Sequence, residues 1–173
     1  MKAEKRREAI LSQLRSSAAP ISAAALAKQY GVSRQVVVGD VALLRAFGHG
    51  VSATPRGYVL ERDTGMLTRT LACVHSGEDM KAELDIMVDN GCVVKDVIVE
   101  HPIYGQLTGS LELKSRYDVS QFVLRSAESE ALPLSSLTDG LHLHTLLCPD
   151  EEAYLRVVAE LREAGFLLPE EEA

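Results

Sequence analysis

The sequence predicts an α+β chain in two parts. A winged helix-turn-helix spans residues 1–62, and a ferredoxin-like βαββαβ domain with an extra C-terminal helix spans residues 66–173. Three observations predict it. Two short helical patterns meet at a glycine and are followed by two short β-prone runs. From residue 66 onward, strand-like and helix-like patterns alternate with little between them. The charge divides along the same line: residues 1–62 carry ten Lys/Arg against four Asp/Glu, and residues 63–173 carry eight against twenty-one. The net charge of −7 is therefore +6 in front and −13 behind. A basic module suits a polyanion such as nucleic acid, and the acidic one suits another task.

In the basic part, "KRREAILSQLRS" puts Ile10, Leu11 and Leu14 on one helical face. Pro20 ends that helix, and Ser22 is placed to cap a second over residues 22–29. Gly31 allows a sharp turn, because glycine takes a positive φ at little cost. Ser33 then caps a third helix reaching Phe47, with Val37, Val41 and Leu44 as its inward stripe. In "VSATPRGYVL", two β-prone runs flank Pro55-Arg56-Gly57, which reads as a hairpin with a basic tip. The stretch "LAKQYGVSRQVVVGDVALLRAFGHGVSATPRGY" resembles the winged-helix domains of bacterial regulators, the biotin repressor's among them. A third helix in the major groove of a double-stranded DNA operator presents Ser33, Arg34, Gln35 and Val38 to the bases. Arg56 in the wing and the Lys5-Arg6-Arg7 cluster are placed to meet phosphates. Gly39, inside the reading helix, costs about 1 kcal/mol relative to alanine; it either admits the DNA backbone closely or is tolerated. Use of the winged helix for protein contacts is the alternative, and the local positive charge argues for DNA.

In the acidic part, "MLTRTLACVH" reads as a strand and "SGEDMKAELDIMVDNG" as a helix closed by Gly91. "CVVKDVIVEHP" and "YGQLTGSLEL" are strands, "SRYDVSQFVLRSAES" a helix, and "LHLHTLLC" a strand. "DEEAYLRVVAELREAG" is a last helix, capped by Asp150 and ended by Gly165. This order suits an antiparallel sheet with helices on one face. A short linker is expected around Arg62–Gly65, and "PEEEA" reads as frayed.

A hydrophobic content of 46% is enough for a real core, yet no apolar run reaches the roughly 20 residues a membrane helix needs. The charged start, "MKAEKRREAILSQL", has no secretory core behind it, so a cytoplasmic protein is expected. Three cysteines, Cys73, Cys92 and Cys148, are odd in number and sit among apolar residues, as reduced core residues do.

The chemistry lies in the second part. Met80, Leu84, Met87 and Val88 mark the buried stripe of its first helix, and Glu83 falls on the same side. A carboxylate there is costly unless it is paired or bound to a cation. His75 ends the preceding strand, and His142 and His144 share one face of a later one. Three imidazoles and a carboxylate, on elements this fold can bring together, suit zinc, nickel, iron(II) or manganese. The alternative is that the strand histidines face water and Glu83 is a salt-bridged rim residue. Cys148 shares the parity of the two histidines and is either an extra soft ligand or, at the strand's end, core. In "EHPIYG", Pro102 blocks regular pairing and Gly105 permits a turn, so His101 and Tyr104 either line a pocket or belong to an ordinary strand connection.

"CVHSGEDMKAELDIMVDNG", "VEHPIYGQLTGSLEL" and "DGLHLHTL", behind this winged helix, resemble the niacin-responsive transcriptional repressors, which carry a three-histidine (3H) domain after their helix-turn-helix. The likeness covers essentially the whole chain. It implies a homodimeric repressor of NAD-biosynthesis or niacin-uptake genes, with nicotinic acid as co-repressor. It also implies a divalent metal held by His75, Glu83, His142 and His144, with His101 and Tyr104 as ligand-pocket candidates. The sequence departs from the expected pattern at Val38-Gly39, where more polar residues would stand in the reading helix. Two rivals are a regulator that senses the metal alone and a metal-dependent hydrolase fused to a winged helix. The hydrolase lacks an HExxH pattern, and no glycine-rich phosphate loop supports nucleotide-dependent chemistry.

Overall fold

The structure, a computed structural model, describes residues 2–61 and 65–169. Of the linker expected at Arg62–Gly65 only Gly65 lies among these residues, and of "PEEEA" only Pro169. Backbone contacts divide the chain into two compact units, residues 1–63 and 64–173.

The first unit has three helices and a hairpin: α1 (Ala3–Ser16), α2 (Ala23–Tyr30), α3 (Arg34–Ala46), β1 (Val51–Thr54) and β2 (Gly57–Leu60). Ser22 caps α2 by accepting from the Ala25 N–H at 3.1 Å, and Gly31 ends it at φ 65°. Ser33 caps α3 by accepting from the Val36 N–H. Ile10, Leu14, Leu26, Val37, Val41, Leu44 and Val51 close into one core. Thr54 pairs with Gly57, so Pro55-Arg56 is the whole hairpin loop. Gly57, at φ 137°, lies against the backbone of Ile21, which bridges Tyr58; a Cβ there would meet the Ile21 carbonyl oxygen at 2.4 Å.

Asp40 is buried in this core, and the Arg6 guanidinium meets both of its oxygens, at 2.6 and 3.3 Å. Arg7 approaches the same carboxylate at 3.7 Å. This corrects the sequence expectation for Lys5-Arg6-Arg7. Arg6 and Arg7 sit on the face of α1 turned toward α3, where a buried acid claims them, and Lys5 is the exposed member of the cluster.

The second unit follows the expected order: β3 (Leu67–Val74), α4 (Met80–Asp89), β4 (Val93–His101), β5 (Gly105–Leu113), α5 (Arg116–Glu128), β6 (Leu141–Cys148) and α6 (Glu151–Glu163). A 3-10 turn, Gly77–Asp79, occupies the start of the segment read as one helix from residue 76, and a second, Leu134–Thr138, precedes β6. The sheet order is β3-β6-β4-β5, with every neighbouring pair antiparallel. β3 and β4 therefore run parallel and β6 fills the space between them, a split βαβ arrangement. The chain's last strand is thus central, directly beside its first. Leu146 and Cys148 of β6 bury into one cluster with Leu84 and Met87 of α4 and Val157 and Leu161 of α6. After α6, the segment Phe166–Leu168 covers the free edge of β3, through Val74 N–H to Phe166 at 2.8 Å and Leu168 N–H to Ala72 at 3.0 Å.

Removing one partner of a buried ion pair leaves the other charge uncompensated. Arg6→Ala is expected to destabilise the first unit, by less than the loss of a fully buried partner because Arg6 is only part-buried and Arg7 remains near Asp40. Urea unfolding followed by circular dichroism measures it; an unchanged unfolding midpoint would mean that Asp40 is not paired as described.

Candidate metal centre

Four side chains from three elements converge in the second unit. His75 follows the last residue of β3, Glu83 lies one turn into α4, and His142 and His144 stand two apart on β6. Strand alternation places both β6 histidines on the helix-covered face, and each is 3% exposed, so they do not face water. Glu83 is 1% exposed. Its Oε1 is 2.9 Å from His142 Nε2 and 3.3 Å from His144 Nε2, and its Oε2 is 2.7 Å from His75 Nε2.

The other nitrogen of each ring fixes what these contacts mean. His75 Nδ1 lies 2.7 Å from the Ser76 carbonyl, His142 Nδ1 2.8 Å from the Gly140 carbonyl, and His144 Nδ1 2.6 Å from the Asp96 carbonyl. A carbonyl only accepts, so each Nδ1 carries the proton and donates. In a neutral imidazole each Nε2 is then a lone pair. Three lone pairs thus face a carboxylate that is itself acceptor-only, and contact this close requires positive charge between them. Protonating every ring would supply it, at the cost of surplus charge in a dry site. One divalent cation would supply it with all three rings neutral, and imidazole nitrogen and carboxylate oxygen are donors that such an ion takes. Nδ1 bonded to a backbone carbonyl is also the usual support of a metal-bound histidine. His75 Nε2 fits the same account: it is buried and near Glu83, yet makes no aligned hydrogen bond.

Burial pushes the Glu83 carboxyl up, but His142, His144 and His75 together outweigh burial and hold it well below the usual carboxylate range. Burial pulls His75 and His144 down, and Glu83 more than reverses it, so both lie above the ordinary imidazole value.

Supporting groups were not legible in the sequence. Gly140 sits at φ 90° with its Cα so near His75 that a Cβ would lie 2.3 Å from the His75 carbonyl oxygen. The β4–β6 register shifts between Val94 and Ile98, and Asp96 lies in that irregularity. There its carbonyl takes His144 Nδ1 and its Oδ1 takes the Thr145 N–H at 2.9 Å. Phe166 packs its ring 5.2 Å from that of His75. Cys73, fully buried, is the cross-strand partner of His142, and its sulfur shares the cluster with Glu83 and His142. Burial, and then Glu83, push its thiol up. Cys148 faces Cys92 instead, sulfur to sulfur at 2.9 Å, and all three cysteines are free thiols.

His101 and Tyr104 lie elsewhere. His101 ends β4 and Tyr104 is the last residue of the three-residue loop to β5, with His101 paired to Gly105 and the two rings 5.0 Å apart. His101 Nδ1 accepts from the Ile103 N–H at 3.2 Å, and Tyr104 is 73% exposed. Among the described residues neither hydrogen-bonds to the four-residue cluster. In the first unit, Ser33, Arg34, Gln35 and Val38 are all exposed along the first turns of α3, and Arg56 is half-buried in the hairpin loop.

Comparison with known proteins agrees with both units. Residues 6–59 match an HTH domain and residues 68–170 match a 3H domain. The chain is 42% identical over 167 residues to the probable transcription repressor NiaR of Thermotoga maritima, covering 96% of this chain and 95% of that protein. It is 41% identical over 167 residues to the transcription repressor NadR of Bacillus subtilis, covering 94% and 93%. The chain belongs to the NiaR/NadR family of transcription repressors. It is a DNA-binding regulator with HTH and 3H domains, not an enzyme. No helix among the described residues is long and apolar enough to cross a membrane.

If the cluster holds a divalent ion, Gly140→Ala is expected to displace the His75 loop and to weaken retention of that ion about tenfold or more, as loss of supporting groups does. Equilibrium dialysis against zinc measures it. Retention equal to wild type would mean that the close approach at Gly140 does not hold His75 in place.

Proposed function

We propose that the protein is a homodimeric, cytoplasmic repressor of NAD-biosynthesis or niacin-uptake genes. In this reading it uses nicotinic acid as co-repressor and holds a divalent transition metal through His75, Glu83, His142 and His144. The observation that carries the metal is the convergence of three Nε2 lone pairs on the buried Glu83 carboxylate. Nicotinic acid is supported by the resemblance of the second unit to niacin-responsive repressors. A divalent ion at this site supplies a Lewis-acidic position for a ring nitrogen or carboxylate. The protein's own residues do the rest: Ser76, Gly140 and Asp96 aim the imidazoles through their Nδ1 protons, and Glu83 balances charge. His101 and Tyr104 enter as an exposed ring pair able to stack on an aromatic acid.

On the DNA side, Ser33, Arg34, Gln35 and Val38 meet base edges in the major groove and Arg56 meets phosphate. The effector must favour one arrangement of the dimer, spacing the two reading helices one DNA turn apart, roughly 34 Å. A coupling of roughly 1–3 kcal/mol makes a useful switch.

The near-complete burial of the cluster favours a second reading, in which the metal itself is the signal. Titrating metal and nicotinate separately against operator binding distinguishes the two. If saturating nicotinate leaves gel-shift affinity unchanged while metal alters it, the second reading stands. Metal analysis on His142→Ala/His144→Ala tests the ligand set: the folded double variant is expected to lose its ion, and a nearly normal metal content would refute the assignment.

Apart from its own helix backbone, a Cβ at Gly39 would meet no atom of the described residues within 4 Å. Gly39→Ala is therefore expected to stabilise the first unit by about 1 kcal/mol. If α3 lies against DNA along this face, operator affinity falls while the melting temperature rises. Unchanged affinity with a higher melting temperature would mean that Gly39 does not approach the DNA.

A further inference from the structure

Assigning the ion to His75, Glu83, His142 and His144 leaves a charge imbalance. Three neutral imidazoles and one carboxylate do not neutralise a dication, and Glu83, His142 and His144 are each 3% exposed or less. Uncompensated charge in a dry site is costly. The group in position to remove it is Cys73. It is 0% exposed and lies on β3 directly across from His142. Its sulfur, a Glu83 oxygen and a His142 nitrogen all lie within 4.8 Å of one another. Its backbone is held on both sides, by β6 and by the bridge to Leu167, so the side chain cannot readily withdraw from the cluster. Cys92 and Cys148 are engaged with each other instead.

We propose that Cys73 is a further donor to the ion proposed above, binding as the thiolate and making the site one for thiolate-accepting metals rather than manganese. On binding, the thiol proton leaves to solvent and the freed sulfur lone pair forms the bond to the ion. No electron changes hands, and the dication with its two anionic donors becomes neutral overall. Thiolate favours zinc and other softer first-row ions, whereas carboxylate and water donors suit manganese and magnesium. The open choice among zinc, nickel, iron and manganese narrows accordingly.

The inference rests on the metal reading, and cobalt(II) separates the two. The full-length protein, stripped with a chelator, is titrated with Co2+ while visible d–d absorption, near-ultraviolet sulfur-to-cobalt charge transfer and proton release are recorded. Wild type is expected to show both absorption features and to release a proton. Cys73→Ala is expected to keep the visible bands, lose the near-ultraviolet one and bind Co2+ about 10–100-fold more weakly. Mn2+ is expected to compete better against Co2+ in Cys73→Ser than in wild type. Visible bands without charge transfer in wild type, or charge transfer that survives in Cys73→Ala, would overturn the role of Cys73 and leave the three-histidine site standing. No visible bands in wild type would remove the metal reading and this inference together. The wild-type spectrum is decisive even if a variant fails to fold.

Discussion

A carboxylate buried against three imidazole lone pairs is not stable without positive charge among them, and much of the second unit is arranged around that constraint. Each histidine gives its Nδ1 proton to a backbone carbonyl, which commits its Nε2 to Glu83. Two of those carbonyls, at Gly140 and Asp96, are placed by unusual backbone. Ser76 begins the turn before α4, Gly140 takes a left-handed conformation against the His75 backbone, and Asp96 sits in the irregular stretch of β4. The position of β6 between β3 and β4 makes this possible, since it sets His142 and His144 beside the end of β3 and beneath α4.

The first unit meets a related constraint with a different solution. Asp40 faces inward from α3, and Arg6 and Arg7 of α1 answer it. The pair joins α3 to α1, the helix that precedes the turn motif, and engages two arginines that the sequence alone placed at phosphates. At its first turns α3 shows to solvent its cap Ser33 and then Arg34, Gln35, Val36 and Val38, with Gly39 among them. On the proposed reading such a surface offers few base-specific donors, so its affinity for DNA would come largely from phosphate contacts and be sensitive to salt.

Periodicity made most elements legible. The stripes Val37, Val41, Leu44 and Leu84, Met87, Val88 are buried as their spacing requires, and Ser22, Ser33 and Asp150 cap the helices they precede. The four-residue cluster was legible for the same reason: Glu83 shares a helical stripe with Met80 and Met87, and two-residue spacing keeps His142 and His144 on one face. Cys148 shares that parity but lies too far along β6, next to Cys92. The sulfur at the cluster belongs to Cys73, whose place depends on the register between β3 and β6. No spacing along the chain encodes that register.

Local physical chemistry is written in the order of residues: which stretches coil, which extend, which face is apolar, and which polar groups would be costly to bury. The chain alone therefore indicated the two units, the winged helix and a carboxylate costly to bury unless paired or bound to a cation. Pairing between distant segments is not written there, because it depends on how strands order themselves and how closely backbones can approach. The insertion of β6, the contact of Gly140 with His75, the diversion of Arg6 to Asp40 and the arrival of Cys73 beside Glu83 were all decided by packing in three dimensions.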